Sequence, residues 1–311
     1  MENKQDIFFS VVCPAYNAGA YLHDALQSVI IQTFKDWELI IVDDGSTDDT
    51  AEIAKSYTSN SAVKYVWQSN GKQGKARNLG VNMAKGNWIA FLDADDEWME
   101  NKLEKQAEQI RTHVAGVYCS SALLCDEDLN VIGEKHAWNG IISGKRELLP
   151  SLLDGINPII FNSVVINREL FQSMGGLNEK KGIAEDYELF LRLCDRDVTF
   201  YGSSDLLVKY RFHAGQTSHS EVSAFALCVN AFRTAEMKSV QQGMKNRLIR
   251  QRVSRFLVHH IDDLNSADAE TVLSLYPYDG ASVLRRLVAK VLLSNKLWLK
   301  KMAYNNKWFL N

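Results

Sequence analysis

The chain has 311 residues, 46% of them hydrophobic and 23% charged, a composition that excludes a disordered or fibrous protein and suits one large or two smaller globular domains. Its net charge of −3 conceals a division: residues 222–311 carry fourteen Lys/Arg against six Asp/Glu, a balance of +8 that leaves −11 for residues 1–221. No apolar run approaches the roughly 18 residues that cross a bilayer, residues 1–6 lack the basic-then-apolar order of a secretion signal, and the five cysteines (Cys13, Cys119, Cys125, Cys194, Cys228) lack Cys-x-x-Cys spacing, so a cytoplasmic protein with buried thiols is expected.

Residues 8–13 read as a first strand, closed by Pro14, which removes a ladder donor, and by the turn-former Asn17. Residues 21–32 place Leu22, Ala25, Leu26, Val29 and Ile30 on one helical face. Residues 38–42 are almost wholly apolar, as in a parallel strand covered on both faces, and strand–helix–strand implies a crossover unit. This strand ends on Asp43 and Asp44, before a Gly45-Ser46-Thr47-Asp48 turn. Ligands of open α/β sheets bind outside the carboxyl ends of strands, where a carboxylate can accept the imide N–H of a uracil. Residues 63–67 read as a third strand, followed by a cationic, glycine-containing loop over 71–78 that opens a helix at 79–84 and can approach a diphosphate. Its Gly-x-x-Gly-Lys fragment has the wrong spacing for a P-loop.

Residues 89–92 form a buried strand that stops on Asp93, Asp95 and Asp96. Carboxylates cannot share that dry environment, so they sit at the strand's end, a hard-oxygen arrangement suited to Mg²⁺ or Mn²⁺ with substrate phosphates. The spacing alone decides little, because acid-x-acid recurs at Asp126/Asp128, which reads as a hairpin turn, and at Asp195/Asp197. A helix is expected over 98–103, with Asp96 as its cap or as a supporting group, then a strand over 116–124, partly helical structure over 141–154 and strand-like structure over 157–166.

Five segments in order, Val11-Val12-Cys13-Pro14-Ala15-Tyr16-Asn17, Gln32-Thr33-Phe34, Val42-Asp43-Asp44-Gly45-Ser46-Thr47-Asp48, Gly74-Lys75-Ala76-Arg77-Asn78 and Leu92-Asp93-Ala94-Asp95-Asp96, resemble the inverting family 2 glycosyltransferases of GT-A fold. The resemblance continues less densely to about residue 219. It implies an α/β, Rossmann-like, mostly parallel mixed sheet with helices on both faces. It also implies a UDP-sugar donor, with Pro14, Tyr16 and Asn17 lining the base pocket, Asp44 accepting from the uracil and Arg77 beside the nucleotide. Asp93 would meet the ribose or a metal-bound water, and Asp95 would ligate the Mn²⁺ or Mg²⁺ that bridges the phosphates.

Residues 184–193 place Glu185 and Asp186 at the start of an amphipathic helix, where its dipole stabilises them. The segment matches the family's Glu-Asp pair, which implies that Asp186 is the catalytic base and Glu185 an acceptor contact or supporting partner. Gly175-Gly176 ahead of it permit positive φ or close approach by a ligand, or read as a plain helix stop. Tyr210-Arg211-Phe212-His213 resembles the family's Tyr-Arg-x-His-x-x-x-x-Ser signature and implies that His213 completes the metal or diphosphate contacts.

The resemblance ends near residue 222. Residues 224–240 and 248–261 read as helices with Arg247, Arg250, Arg252 and Arg255 between the apolar positions, and 283–293 as a basic amphipathic helix leading to Trp298, Trp308 and Phe309. Such a tail packs on the domain or lies against anionic membrane at the inner face of the cell membrane; no nucleic-acid motif is present. The expected organisation is a nucleotide-sugar half (1–113), an acceptor and base half (114–220) and a basic helical C-terminal extension (221–311). The expected activity is inverting, metal-dependent transfer of a hexose or N-acetylhexosamine from a UDP-sugar to a glycan or lipid-linked acceptor, in bacterial surface polysaccharide or lipopolysaccharide synthesis. A nucleotidyltransferase or a non-catalytic glycan-binding relative would use similar parts.

Overall fold

The computed structural model describes residues 8–216, 220–260, 264 and 266–277. Among them, β1 (Phe9–Ala15), β2 (Trp37–Asp43), β3 (Val63–Trp67), β4 (Trp88–Phe91), β5 (Glu97–Trp98), β6 (Val117–Cys125), β7 (Val131–Lys135), β8 (Gly140–Ser143), β9 (Val165–Asn167) and β10 (Thr199–Arg211) form one mixed sheet. Its order is β3-β2-β1-β4-β9-β6-β10-β5, with β7 paired to β6 and β8 to β10. The β1–β4 block is parallel and so is β6–β10, while β9 runs antiparallel between them.

The helices are α1 (Leu22–Ile30), α2 (Thr50–Ser56), α3 (Gln73–Met83), α4 (Lys102–Thr112), α5 (Leu149–Leu153), α6 (Arg168–Ser173), α7 (Glu185–Asp195), α8 (Glu221–Thr234), α9 (Gln242–His260) and α10 (Ser266–Ser274). Alternate strand residues face opposite ways. Val11, Cys13, Leu39 and Ile41 therefore join the core under α1, α2 and α4, whereas Val12, Ile40 and Val42 join the core under α3 and α5–α10. Helices on both faces explain why β2 shows no polar alternation.

Several expectations are corrected. Pro14 does not close the first strand, since β1 runs on to Ala15 beside Asp43. Val12 O accepts from Leu92 N–H on the β4 side, so the missing Pro14 N–H faces that side too, beyond the point where the β1–β4 ladder has ended. The 71–78 segment is a loop only to Lys72: α3 begins at Gln73, placing Arg77 on a buried helical face. Trp98 is a strand residue opposite Val208, and the following helix starts at Lys102. Residues 157–166 give only the first two residues of the three-residue β9 and a 3₁₀ turn at Phe161–Ser163. The 224–240 helix stops at Thr234, α9 starts six residues before the expected 248, and α10 and the long β10 were not anticipated. The hairpin at Asp126 is present, its carboxylate accepting from Asp128 N–H and from the Asn130 backbone and side chain. The cysteines are free thiols, four of them buried.

None of the described helices is long and apolar enough to cross a membrane. The expected 283–293 helix, Trp298, Trp308 and Phe309 lie outside the described residues, as do the Ser218 end of the Tyr-Arg-x-His fragment and residues 1–6.

Candidate active site

The acids after β4 are used unequally. Asp96 is fully enclosed and accepts from Arg211 N–H at 2.8 Å and from the Asn162 side chain; it neither caps α4 nor faces the cleft. Asp93 is joined to Arg77, whose Nη2 lies 2.5 Å from Asp93 Oδ1 while its Nη1 lies 2.5 Å from Glu185 Oε1. The same guanidinium stacks on Phe161 at 4.7 Å. A buried arginine with two carboxylates satisfies its charge, and here the two come from the end of β4 and the start of α7. That one side chain therefore brings together three segments that the sequence leaves far apart.

Asp95 points the other way. Its Oδ2 lies 3.0 Å from His213 Nε2, and its side chain is 31% exposed, so it is open to the cleft. Gly215 N–H is 3.3 Å from His213 Nδ1, which makes Nδ1 the acceptor and leaves the ring proton on Nε2, facing Asp95. Arg211 holds this corner: its Nε donates to Asp95 O at 2.8 Å, Nη1 to Glu127 O at 2.6 Å and Nη2 to Asp24 at 3.0 Å, with the plane over Tyr21. Tyr21 in turn packs on His213 at 4.6 Å and donates to Glu127 at 2.6 Å.

The donor set would suit a hard divalent cation once the Nε2 proton is displaced, pairing one carboxylate oxygen and one imidazole nitrogen with phosphate oxygens. Burial and the charge of Asp93 push the Asp95 carboxyl above its ordinary range, a strain that a cation would relieve. Among the described residues no three His, Cys, Asp or Glu side chains converge into a ready-made cage. The described residues would thus supply only part of a coordination sphere.

At the neighbouring lip, Ala15 O accepts from Asp44 N–H, which sets Pro14, Tyr16 and Asn17 beside Asp44. Asn17 has φ +48° and its Oδ1 accepts from Thr47 N–H, so it ties the β1 turn to the β2 turn. Tyr16 is half exposed, with the Lys72 ammonium 5.9 Å from its ring. Asp44 is heavily engaged: Oδ1 accepts from Gln68 Nε2 at 2.5 Å and Gly71 N–H at 2.7 Å, and Oδ2 from Lys72 N–H at 2.8 Å. One lone pair of Oδ2 is left for an incoming N–H donor. Asp44 thereby organises the loop that leads into α3, a role the sequence did not suggest.

Glu185 and Asp186 open α7 as expected, above a stripe of Leu189, Phe190 and Leu193 that is buried. Glu185 is drawn onto Arg77, whereas Asp186 is half-buried and makes no side-chain ion pair among the described residues. Burial pushes the Asp186 carboxyl up, against the Tyr187 N–H and the Arg77 charge, which pull it down. Gly175 and Gly176, both at positive φ, do stop α6, and they also do more. A Cβ on Gly176 would lie 2.7 Å from Asn78 Oδ1, and Arg192 donates to the carbonyls of Met174 and Gly176. The turn is thus clamped between α3 and α7. Arg211, Tyr21 and Asn78 were passed over, although Arg211 and Asn78 stand inside the quoted motifs; their importance lies in contacts about a hundred residues away.

The family model for Glycosyl transferase family 2 matches residues 10–175. A glycosyltransferase of Rickettsia prowazekii, itself uncharacterized, is 30% identical over 230 residues, which cover 71% of this chain and 70% of that protein. TuaG of Bacillus subtilis, a glycosyltransferase named for teichuronic acid biosynthesis, is 31% identical over 205 residues, 65% of this chain and 78% of its own. Among solved structures, residues 1–349 of S. aureus TarS in complex with UDP-GlcNAc align with a TM-score of 0.66 at 18% identity, over 96% of this chain and 89% of that one. The mannosyltransferase PcManGT of Pyrobaculum calidifontis, solved with GDP-Man and Mn²⁺, aligns at 0.58 and 15% identity, over 97% and 87%. These structures show likeness of fold alone, whereas the match over more than half of the sequence decides kinship: the chain belongs to glycosyltransferase family 2, a transferase with the GT-A fold.

Proposed function

We propose that this glycosyltransferase is inverting and metal-dependent and moves a hexose or N-acetylhexosamine from a UDP-sugar to a glycan or lipid-linked acceptor of bacterial surface polysaccharide. The Arg77 bridge carries the reading, because it sets the β4 acids and the α7 acids on one cleft. Residues 1–113 bind the nucleotide through Pro14, Tyr16, Asn17 and Asp44, with Asp93 and Arg77 beside the ribose and diphosphate; residues 114–220 receive the acceptor. A divalent cation held by Asp95 and His213 would neutralise the charge that gathers on the departing diphosphate. Asp186 takes the proton from the acceptor hydroxyl onto a carboxylate oxygen as that hydroxyl attacks in line. Glu185 is a poorer base, since Arg77 already holds it, so its part is to position Arg77 and the acceptor side.

A single displacement needs one carboxylate and no protein nucleophile, and Asp186, unlike its neighbour Glu185, makes no direct ion pair among the described residues, the Arg77 and Lys135 charges acting on it from a distance. The UDP donor is supported by the fold shared with TarS, whose complexes hold UDP and UDP-GlcNAc. The acceptor class is supported by the name of TuaG. A place at the inner face of the membrane is supported by the +8 balance of residues 222–311, although Lys245 and Arg252 are buried and spend their charge inside the domain.

The test is a panel of UDP- and GDP-sugars with Mn²⁺, Mg²⁺ or chelator, followed by identification of the released nucleotide. Free UDP with metal dependence and an inverted anomeric product is the expected outcome. Release of GDP, or full turnover in chelator, would overturn the donor or the metal assignment respectively.

A further inference from the structure

Arg252 of α9 belongs to the basic helical C-terminal extension, yet it is only 7% exposed. Among the described residues no carboxylate pairs with it. Its Nε donates to Leu153 O at 3.0 Å and its Nη2 to Leu152 O, both at the end of α5, and Nη2 also reaches the Tyr187 hydroxyl at 2.6 Å. The Tyr187 hydroxyl donates to the same Leu152 carbonyl, and the guanidinium packs on Phe232 of α8 at 5.0 Å. A buried cation without a counter-charge is expensive, and an apolar side chain would fill the space at least as stably. What the arginine supplies is a rigid fork that locks Tyr187, the residue directly after Asp186, to α5.

A second set of contacts acts on the same turn. Leu227 O of α8 accepts from Ala184 N–H at 3.2 Å, and Asn230 of α8 donates to Gly182 O at 3.1 Å. The segment entering α7 is therefore held from the C-terminal helices on one side and from Arg77 through Glu185 on the other.

We infer that Arg252 is a positioning residue for Asp186, acting through Tyr187, and that α8 and α9 are part of the catalytic unit. The inference rests on Asp186 being the base. A side chain displaced by about 1 Å from its in-line position loses on the order of 100-fold in rate, while donor binding, which uses the β1, β2 and β4 ends, is untouched.

Tyr187→Phe is the cleanest test, because it cuts the link and leaves Arg252 on the α5 carbonyls; Arg252→Lys keeps the charge and loses the fork. Both are expected to lower kcat about 10- to 100-fold with unchanged UDP affinity by calorimetry and unchanged donor KM. Wild-type kcat in Tyr187→Phe overturns the inference, and so does a fall in kcat accompanied by an equal loss of UDP affinity, which would mean general loosening. Should Arg252→Lys not fold, Arg252→Met takes its place, because Tyr187→Phe also removes the hydrogen bond from Tyr187 to Leu152 O and a fall in kcat there does not by itself implicate Arg252. Asp186→Asn run in parallel separates the two failures: if it turns over normally the base itself is overturned, and if it is dead beside a normal Tyr187→Phe only the brace is.

Discussion

At the end of β2 the carboxylates of Asp43 and Asp44 together accept from Ser46 N–H, the Tyr65 hydroxyl, the Gln68 amide, Gly71 N–H and Lys72 N–H. At the end of β4 the acids meet few neutral local donors: Asp93 faces a guanidinium and Asp95 an imidazole, from residues 77 and 213. The first pair is satisfied by the loop that it folds, so its acids are structural first and can offer a ligand little more than a leftover lone pair. The second group is balanced by a guanidinium and an imidazole brought from distant segments, and part of that balance is open to exchange. Acids at a strand end therefore stay available to a ligand only where local N–H groups do not consume them.

The largest effect that would break this contrast is at the open acids. Asp186→Asn should lower transfer by about 10²–10⁴-fold while UDP titration stays near wild type, and Asp95→Asn should weaken Mn²⁺ binding as measured by spin resonance. Normal turnover in Asp186→Asn would place the base elsewhere. The pH profile sharpens the same point. As the proposed base, Asp186 would work deprotonated, and burial raises it, so kcat/KM should fall as pH drops through a value above the usual carboxylate range near about 4; an acid limb at or below 4 would contradict that reading.

Next in size is Arg77→Met, which leaves Asp93 and Glu185 facing each other uncompensated. It should cost about 3–5 kcal/mol in urea unfolding as well as activity, and a loss of activity alone would mean that the bridge is not needed for folding. At the closed lip, Asp44→Ala should cost about 1–3 kcal/mol, since it orphans part-buried N–H groups, and raise donor KM more than it lowers kcat; a pure kcat effect would put Asp44 with the open acids after all.

Asp195 gives a smaller, pH-linked effect. Burial pushes its carboxyl up, but the Ser239 hydroxyl and the N–H groups of Ser239 and Lys238 outweigh that and hold it below its ordinary value. Its contribution to stability is accordingly complete above about pH 4 and lost as pH falls through the depressed value, so Asp195→Asn should flatten the acid side of a melting curve. Smallest of all is Asp126→Ala in the exposed hairpin, expected to match wild type in turnover; a measurable loss would bring that hairpin into the acceptor site.

The sequence was enough for the alternation of strands and helices, for acids at the ends of β2 and β4 and at the start of α7, and for the family, because each follows from local hydrophobic period or from short contiguous motifs. It failed where local appearance and tertiary use diverge. Pro14 looked like a strand end and is not, since one neighbouring ladder had already stopped; residues 157–166 looked like a strand and are largely irregular, with a 3₁₀ turn that carries Asn162 to Asp96.

What only the tertiary structure decided is which side chains are already bound. Asp44, Asp96, Glu185 and Arg252 carry the residue types of a site or a solvated tail, and their partners come from the 68–72 loop, β10, α3 and α7 respectively. A carboxylate or guanidinium is available for chemistry only to the extent that its lone pairs or N–H groups are unspent, and that balance depends on donors and acceptors from other segments. No pattern within one stretch of chain contains it.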